Sequence, residues 1–139
     1  GLPGIVLAVA APQRKFLLCD RSARRIRFLT QAVRELGLDN TDVWCGDFGE
    51  QTPPSGLFDT IVARGVATAE VVWDMVQAQL APTGSVLVYE STQFETELSR
   101  QTLKQDASDN GIEISRHFFS IPLLGQTHSI VRLQKKVLL

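Results

Sequence analysis

An acid, Asp20, closes the apolar run Phe16–Cys19, and two glycines, Gly1 and Gly4, flank Leu2-Pro3 just ahead of another apolar run. Two further stretches set polar groups directly after apolar runs: Asp47-Phe48-Gly49 beyond Thr41–Cys45, and Arg64 beyond Phe58–Ala63. A carboxylate at a strand end can accept both hydroxyls of a ribose. Glycines let a backbone approach a ligand with no Cβ in the way, and an acid beside an aromatic can grip adenine by edge and face. The chemistry these residue types share is adenosine recognition. Each has a purely structural use as well: Asp20 with Ser22 can cap the following helix, Phe48 can fill a core, and Arg64 can pair with Asp59 or Asp47.

Positioning such groups takes a regular frame, and the hydrophobic pattern supplies one. Gly4 to Ala11 reads as a short helix stopped by Pro12, Lys15 to Asp20 as a strand, and Ala23 to Leu36 as a helix ended by Gly37. That helix turns Ile26, Leu29 and Val33 inward. Thr41 to Cys45 follows as a strand, then the loop GDFGEQTPPSG, a strand at Phe58 to Ala63, a helix at Ala69 to Leu80, and a strand at Ser85 to Glu90 after a Pro82 to Gly84 turn. A polar helix is expected around Glu95 to Ser108. The chain closes with strands at Ile112 to Ile121 and Ser129 to Lys135 and no helix between them, a terminal antiparallel hairpin.

Strand and helix taking turns argue for an α/β fold with a mostly parallel sheet covered on both faces by right-handed crossovers. Ligands in such sheets sit beyond the carboxyl ends of the strands. That rule selects the Gly1 to Gly4 turn, Asp20, the Gly46 to Gly49 loop and Ala63 to Val66. Each follows a strand, except that the strand expected before Gly1 is absent.

Composition bounds the function. The 139 residues, 44% of them hydrophobic, suit one domain, residues 1–139, shortened at its N-terminus. A net charge of -1 and a pI near 6.1 give no global basic field, so any nucleic-acid binding must rest on a local patch. Cys19 and Cys45, without CxxC spacing, read as buried thiols in a reducing compartment. No apolar stretch approaches a membrane span, and no basic leader with a signal-peptide pattern is visible, so a soluble cytoplasmic domain is expected. His117 and His128 fall in the terminal hairpin as surface or packing residues, and neither a metal site nor a catalytic acid, base or nucleophile is assigned.

The stretches GLPGIVLAVAAP, LLCDRSARRIRFLTQAVRELGLDN, FDTIVARGVAT and HSIVRLQKK resemble the RsmG (GidB) family. These are bacterial enzymes that use S-adenosyl-L-methionine to methylate N7 of a guanine in 16S ribosomal RNA. The resemblance spans almost the whole chain and implies a Rossmann-like class I methyltransferase sheet. Its strand order would be Thr41–Cys45, Lys15–Asp20, the absent first strand, Phe58–Ala63, Ser85–Glu90, Ser129–Lys135 and Ile112–Ile121. By position, Gly1, Leu2 and Gly4 match the family's cofactor loop and Asp20 the acid ending its second strand. Asp47, Phe48 and Gly49 stand where the family has Arg-Ala-Glu on the adenine side, and Arg64 matches the arginine lining the site. Glu90 stands where the family usually has a lysine, and the family's N-terminal helices and first strand are missing from this chain.

The implied partner is 16S rRNA or the small ribosomal subunit, with no membrane. Arg21, Arg24, Arg25, Arg27 and Arg34, five of fourteen Lys and Arg, crowd one helix and its approach. The Arg21, Arg24, Arg25 side is then the phosphate-binding candidate, against a solvated face paired to Glu35 and Asp39. A nucleotide-dependent dehydrogenase would also place an acid after its second strand, but the terminal hairpin and the GLPG turn favour methyl transfer over a GxGxxG site. The rival reading is a diverged, catalytically silent relative that binds RNA or another partner.

Overall fold

The computed structural model describes residues 1–90 and 111–137; the helix expected around Glu95 to Ser108 lies outside them. The chain divides into two compact units, Gly1–Gly56 and Leu57–Leu139.

The first unit runs α1 (Gly4–Ala10), β1 (Phe16–Asp20), α2 (Ala23–Glu35) and β2 (Thr41–Cys45). β1 and β2 pair in parallel from Phe16↔Thr41 to Asp20↔Cys45. α2 begins where Ser22 Oγ accepts a hydrogen bond from the Arg25 N–H at 3.4 Å. It ends in a Schellman pair, with Gly37 N–H donating to Arg34 O at 3.1 Å and Leu38 N–H to Val33 O at 3.0 Å. Its apolar stripe faces inward as expected: Leu29 is buried, Ile26 and Val33 are half-buried, and Phe28 points out. Asn40 fastens the unit together, because its side-chain nitrogen reaches Ala8 O at 3.1 Å, Ala11 O at 3.2 Å and Arg14 O at 2.9 Å. The end of α1 and the turn after it are thereby tied to the residue that leads into β2.

The second unit runs β3 (Phe58–Arg64), α3 (Ala69–Val76), a 3-10 turn (Gln77–Gln79), β4 (Leu80–Glu90), β5 (Ile112–Ser120) and β6 (Thr127–Lys135). Its sheet has the order β3-β4-β6-β5, with β3 and β4 parallel and the other pairs antiparallel. Val86 and Val88 on β4 stand across from Leu133 and Val131 on β6, and all four are buried. α3 packs against β4 and buries Ala69, Val72, Trp73 and Val76.

The α/β class and the terminal antiparallel hairpin follow the sequence reading. Within each unit the strand neighbours are those expected: Thr41–Cys45 beside Phe16–Asp20 in one, and the order from Phe58 through the hairpin in the other. Among the described residues β1 has the single strand partner β2, and β3 the single partner β4. Two local expectations need correction. α3 stops at Val76 because Leu80 is drawn into the sheet opposite Phe58. The Pro82 to Gly84 turn is instead an irregularity inside β4, which advances from Leu80 to Ser85 while β3 advances only from Phe58 to Thr60. No helix among the described residues is long and apolar enough to cross a membrane.

Candidate functional site

The site is built at the carboxyl ends of β1 and β2. The last residues of the two strands, Asp20 and Cys45, face each other in register, and Gly46 N–H donates to Asp20 O at 3.1 Å, carrying the pairing one step further. The Asp20 side chain and the loop after Cys45 therefore leave the sheet at one rim, where ligands of parallel sheets collect.

Asp20 is held closely. Its Oδ1 accepts the Ser22 N–H at 2.8 Å, and Oδ2 lies 3.5 Å from Arg25 Nη1, with the carboxylate side chain 20% exposed and the arginine side chain 73%. Of the uses weighed from the sequence, the capping one is seen here, since Asp20 braces the turn that Ser22 caps. An ionised carboxylate has about four lone-pair sites, so capacity remains for two ribose hydroxyls.

The next loop is shaped by Asp47. Its Oδ1 accepts the Gly49 N–H at 2.9 Å, and its carbonyl accepts Glu50 N–H at 3.1 Å and Gln51 N–H at 2.7 Å. Phe48 sits edge-to-face on Trp44, ring centroids 5.7 Å apart and planes at 88°. Trp44 in turn occupies the space a Cβ on Gly46 would need, with Cε2 and Cη2 within 2.6 Å of it. Trp44, Gly46 and Phe48 form one aromatic step at the end of β2, and Trp44 is a member that sequence reasoning missed. Its signal was the two-residue spacing that puts Trp44 and Gly46 on one face of an extended strand.

Gly1, Leu2 and Gly4 belong to the turn that leads into α1. A Cβ on Gly4 would collide with Leu18 of β1, and one on Gly1 would stand 3.1 Å from Leu29 Cδ2 of α2. The two glycines thus allow the turn before α1 to press on β1 and α2. Leu2 is exposed.

Arg21, Arg24 and Arg25 are exposed, and an open depression of about 490 Å³ is lined by Ser22, Arg24, Arg25 and Phe28. The first turn of α2 carries no acid. Glu35, one of the acids weighed as a partner for this face, instead accepts a hydrogen bond from Gln31 Nε2 at 2.8 Å. Arg25 is the residue common to the arginine face and the carboxylate, a link visible in sequence only as the third residue after the cap.

Arg64 ends β3 in the second unit, exposed, and makes no ion pair to Asp59 or to any other described residue of that unit. Glu90, at the end of β4, is nearly buried and lies 3.1 Å from Arg116 Nη2 on the neighbouring hairpin. His117 is exposed and His128 stacks on Phe119 at 5.6 Å, so both histidines have the surface and packing roles expected. Among the described residues no group of three His, Cys, Asp or Glu is arranged to hold a metal ion.

The cysteines depart from expectation. Cys19 is half-buried in β1, and burial pushes its thiol up from 9.0 to about 12. Cys45 is exposed, not buried, because it is the last residue of a strand with a single neighbour among the described residues; its Sγ lies 3.9 Å from Arg21 O.

Parallel strands with a carboxylate at the end of one, together with a closing antiparallel hairpin, make a Rossmann-like class I methyltransferase fold. A solved precorrin-6y C5,15-methyltransferase from Geobacter metallireducens matches at a TM-score of 0.64 and 13% identity, over 94% of this chain and 74% of that one. The chain belongs to the rRNA small subunit methyltransferase G (GidB) family, whose model matches residues 1–121. Relatives called ribosomal RNA small subunit methyltransferase G come from Methylococcus capsulatus and Prochlorococcus marinus. The first is 34% identical, covering 91% of this chain and 63% of its own length; the second is 32% identical, covering 96% and 55%. The chain thus spans little more than half of these relatives.

Proposed function

We propose that this chain is the cofactor-binding part of an S-adenosyl-L-methionine-dependent methyltransferase acting on N7 of a guanine in 16S rRNA. The observation that carries the reading is Asp20: a carboxylate at the end of β1, beside the loop that follows β2, oriented by Ser22 and Arg25 but with lone pairs to spare. These residues fit an adenosyl group. Asp20 would accept the ribose hydroxyls and Phe48, braced by Trp44, would offer an apolar face to the adenine. Leu2 would close on the ligand from the turn before α1, and Gly49 would keep the loop open to it. Asp47 would contribute the carboxylate oxygen that Gly49 N–H does not take. Arg64 would hold the cofactor or a substrate phosphate.

When bound, the cofactor supplies an electrophilic methyl group. Guanine N7 carries a lone pair and no proton, so the protein has no proton to remove there. What this chain's residues must do is bind and orient, and positioning alone accounts for large rate factors. Arg21, Arg24 and Arg25 would hold rRNA phosphates, which position a substrate without reading its sequence.

Calorimetry with S-adenosylmethionine and tritium transfer to small subunits lacking the modification test the proposal together. Micromolar binding with label mapping to one guanine N7 is the expected result. RNA binding without cofactor binding would instead establish the catalytically silent relative, the reading favoured by Asp47 being turned into its own loop.

A further inference from the structure

We infer that Phe28 is a stacking platform for an unpaired base of the RNA strand, with Arg24 and Arg25 holding the phosphates beside it. The inference rests on the rRNA-substrate reading above and deepens it, because it names the form of RNA that this face accepts.

Phe28 is 66% exposed on a helix whose other apolar side chains, Ile26, Leu29 and Val33, turn inward. Arg24 and Arg25 precede it by four and three residues, the two spacings that place side chains next to one another on a helix surface. The three residues and Ser22 line one open depression. Among the described residues its charge meets an acid only where Asp20 lies 3.5 Å from Arg25, and that arginine remains 73% exposed. A phenyl ring open to water and flanked by guanidinium groups offers a π-face and anion contacts a few ångströms apart. An unpaired nucleotide presents the complement, a flat base beside a phosphate. In a duplex the base faces are covered by their neighbours, so only the phosphate half of the surface would be used. An acidic peptide would use the arginines and leave the ring idle.

The test measures binding of the whole chain to a fluorescein-labelled single-stranded RNA of about twelve nucleotides and to the duplex of the same sequence, across a salt series. Phe28→Ala should weaken single-strand binding roughly 5- to 150-fold. The salt slope should hold, since no charge is removed, and duplex binding should hold too. Arg24→Gln should instead lower the single-strand slope by about 0.7. Phe28→Trp should restore the affinity, and its indole emission should be quenched by RNA beyond the quenching of the parent chain, a readout that serves even if Phe28→Ala folds poorly. Wild-type affinity in Phe28→Ala, equal losses on both RNAs, or an unquenched Trp would overturn the stacking role while leaving the rRNA reading in place. Competition by polyglutamate as effective as that by RNA would also overturn it, in favour of an acidic partner. Failure of the parent chain to bind either RNA would overturn both readings.

Discussion

Arg25 Nη1 stands 3.5 Å from Asp20 Oδ2, while the other carboxylate oxygen holds the Ser22 N–H at 2.8 Å. One side chain thus orients the β1–α2 turn and, in the proposed function, binds the ribose. Asp20→Asn keeps an acceptor for Ser22 and loses the charge, whereas Asp20→Ala loses both. Asp20→Ala should weaken S-adenosylmethionine binding by about 1.5–3 kcal/mol, the range for hydrogen bonds to a charged group, with Asp20→Asn falling between it and the parent. Calorimetry on the three proteins decides. Equal affinities would leave Asp20 as a brace for the turn only.

The same contact separates the neighbouring arginines. Arg24 touches no acid among the described residues, but Arg25 touches Asp20. Arg24→Ala should therefore reduce RNA affinity and flatten its salt dependence by about 0.7–0.9 units of slope with cofactor affinity unchanged. Arg25→Ala should do the same to RNA and also alter cofactor affinity, by less than about fivefold because an exposed ion pair is worth at most about 1 kcal/mol. Filter binding and calorimetry on both variants would show the split. If Arg24→Ala changed cofactor binding as much as Arg25→Ala does, the division between the two faces would be wrong.

Much of this was legible in the chain because its signals were local. The caps at Ser22 and Gly37 bound α2, and the alternation of strand and helix gave the class. Asp20 could be placed at a strand end from the apolar run before it. What was not legible depended on partners distant in sequence. Leu80 looks like the last apolar residue of a helix and becomes the first of a strand because Phe58 pairs with it. The packing of Leu18 against Gly4 could not be read from the chain, because the two lie on different elements. Cys45 reads as core, since hydropathy does not say that β2 is an edge.

The thiols give a prediction with a fixed sign. Burial raises Cys19 from 9.0 to about 12 in the folded chain, so folding favours its protonated form. That contribution to stability is complete below the unfolded value near 9 and is lost as pH rises from there through the folded value near 12. Denaturant midpoints of Cys19→Ala should accordingly fall less steeply than those of the parent between pH 9 and the highest pH at which the fold persists. At pH 8 a disulfide reagent should label Cys45 promptly and Cys19 only on unfolding. Equal labelling rates for the two would show that Cys19 is open to solvent.

Gly46 tests the aromatic step. A methyl group there must displace the Trp44 indole, and Trp44 supports Phe48 from 5.7 Å while Gly46 N–H holds Asp20 O at 3.1 Å. Overpacking of this kind costs about 1–3 kcal/mol. Gly46→Ala should lower the unfolding free energy by that amount and weaken cofactor binding, since the ring meant for the adenine and the strand end carrying Asp20 both shift. Trp44→Phe gives the methyl group room, because a phenyl ring is smaller than an indole. The pair should therefore be non-additive by about 0.5–3 kcal/mol, with Gly46→Ala costing less in the Trp44→Phe background than in the parent. A double-mutant cycle followed by denaturant unfolding measures the coupling. Strict additivity would mean that Gly46 is required for some reason other than the indole lying against it.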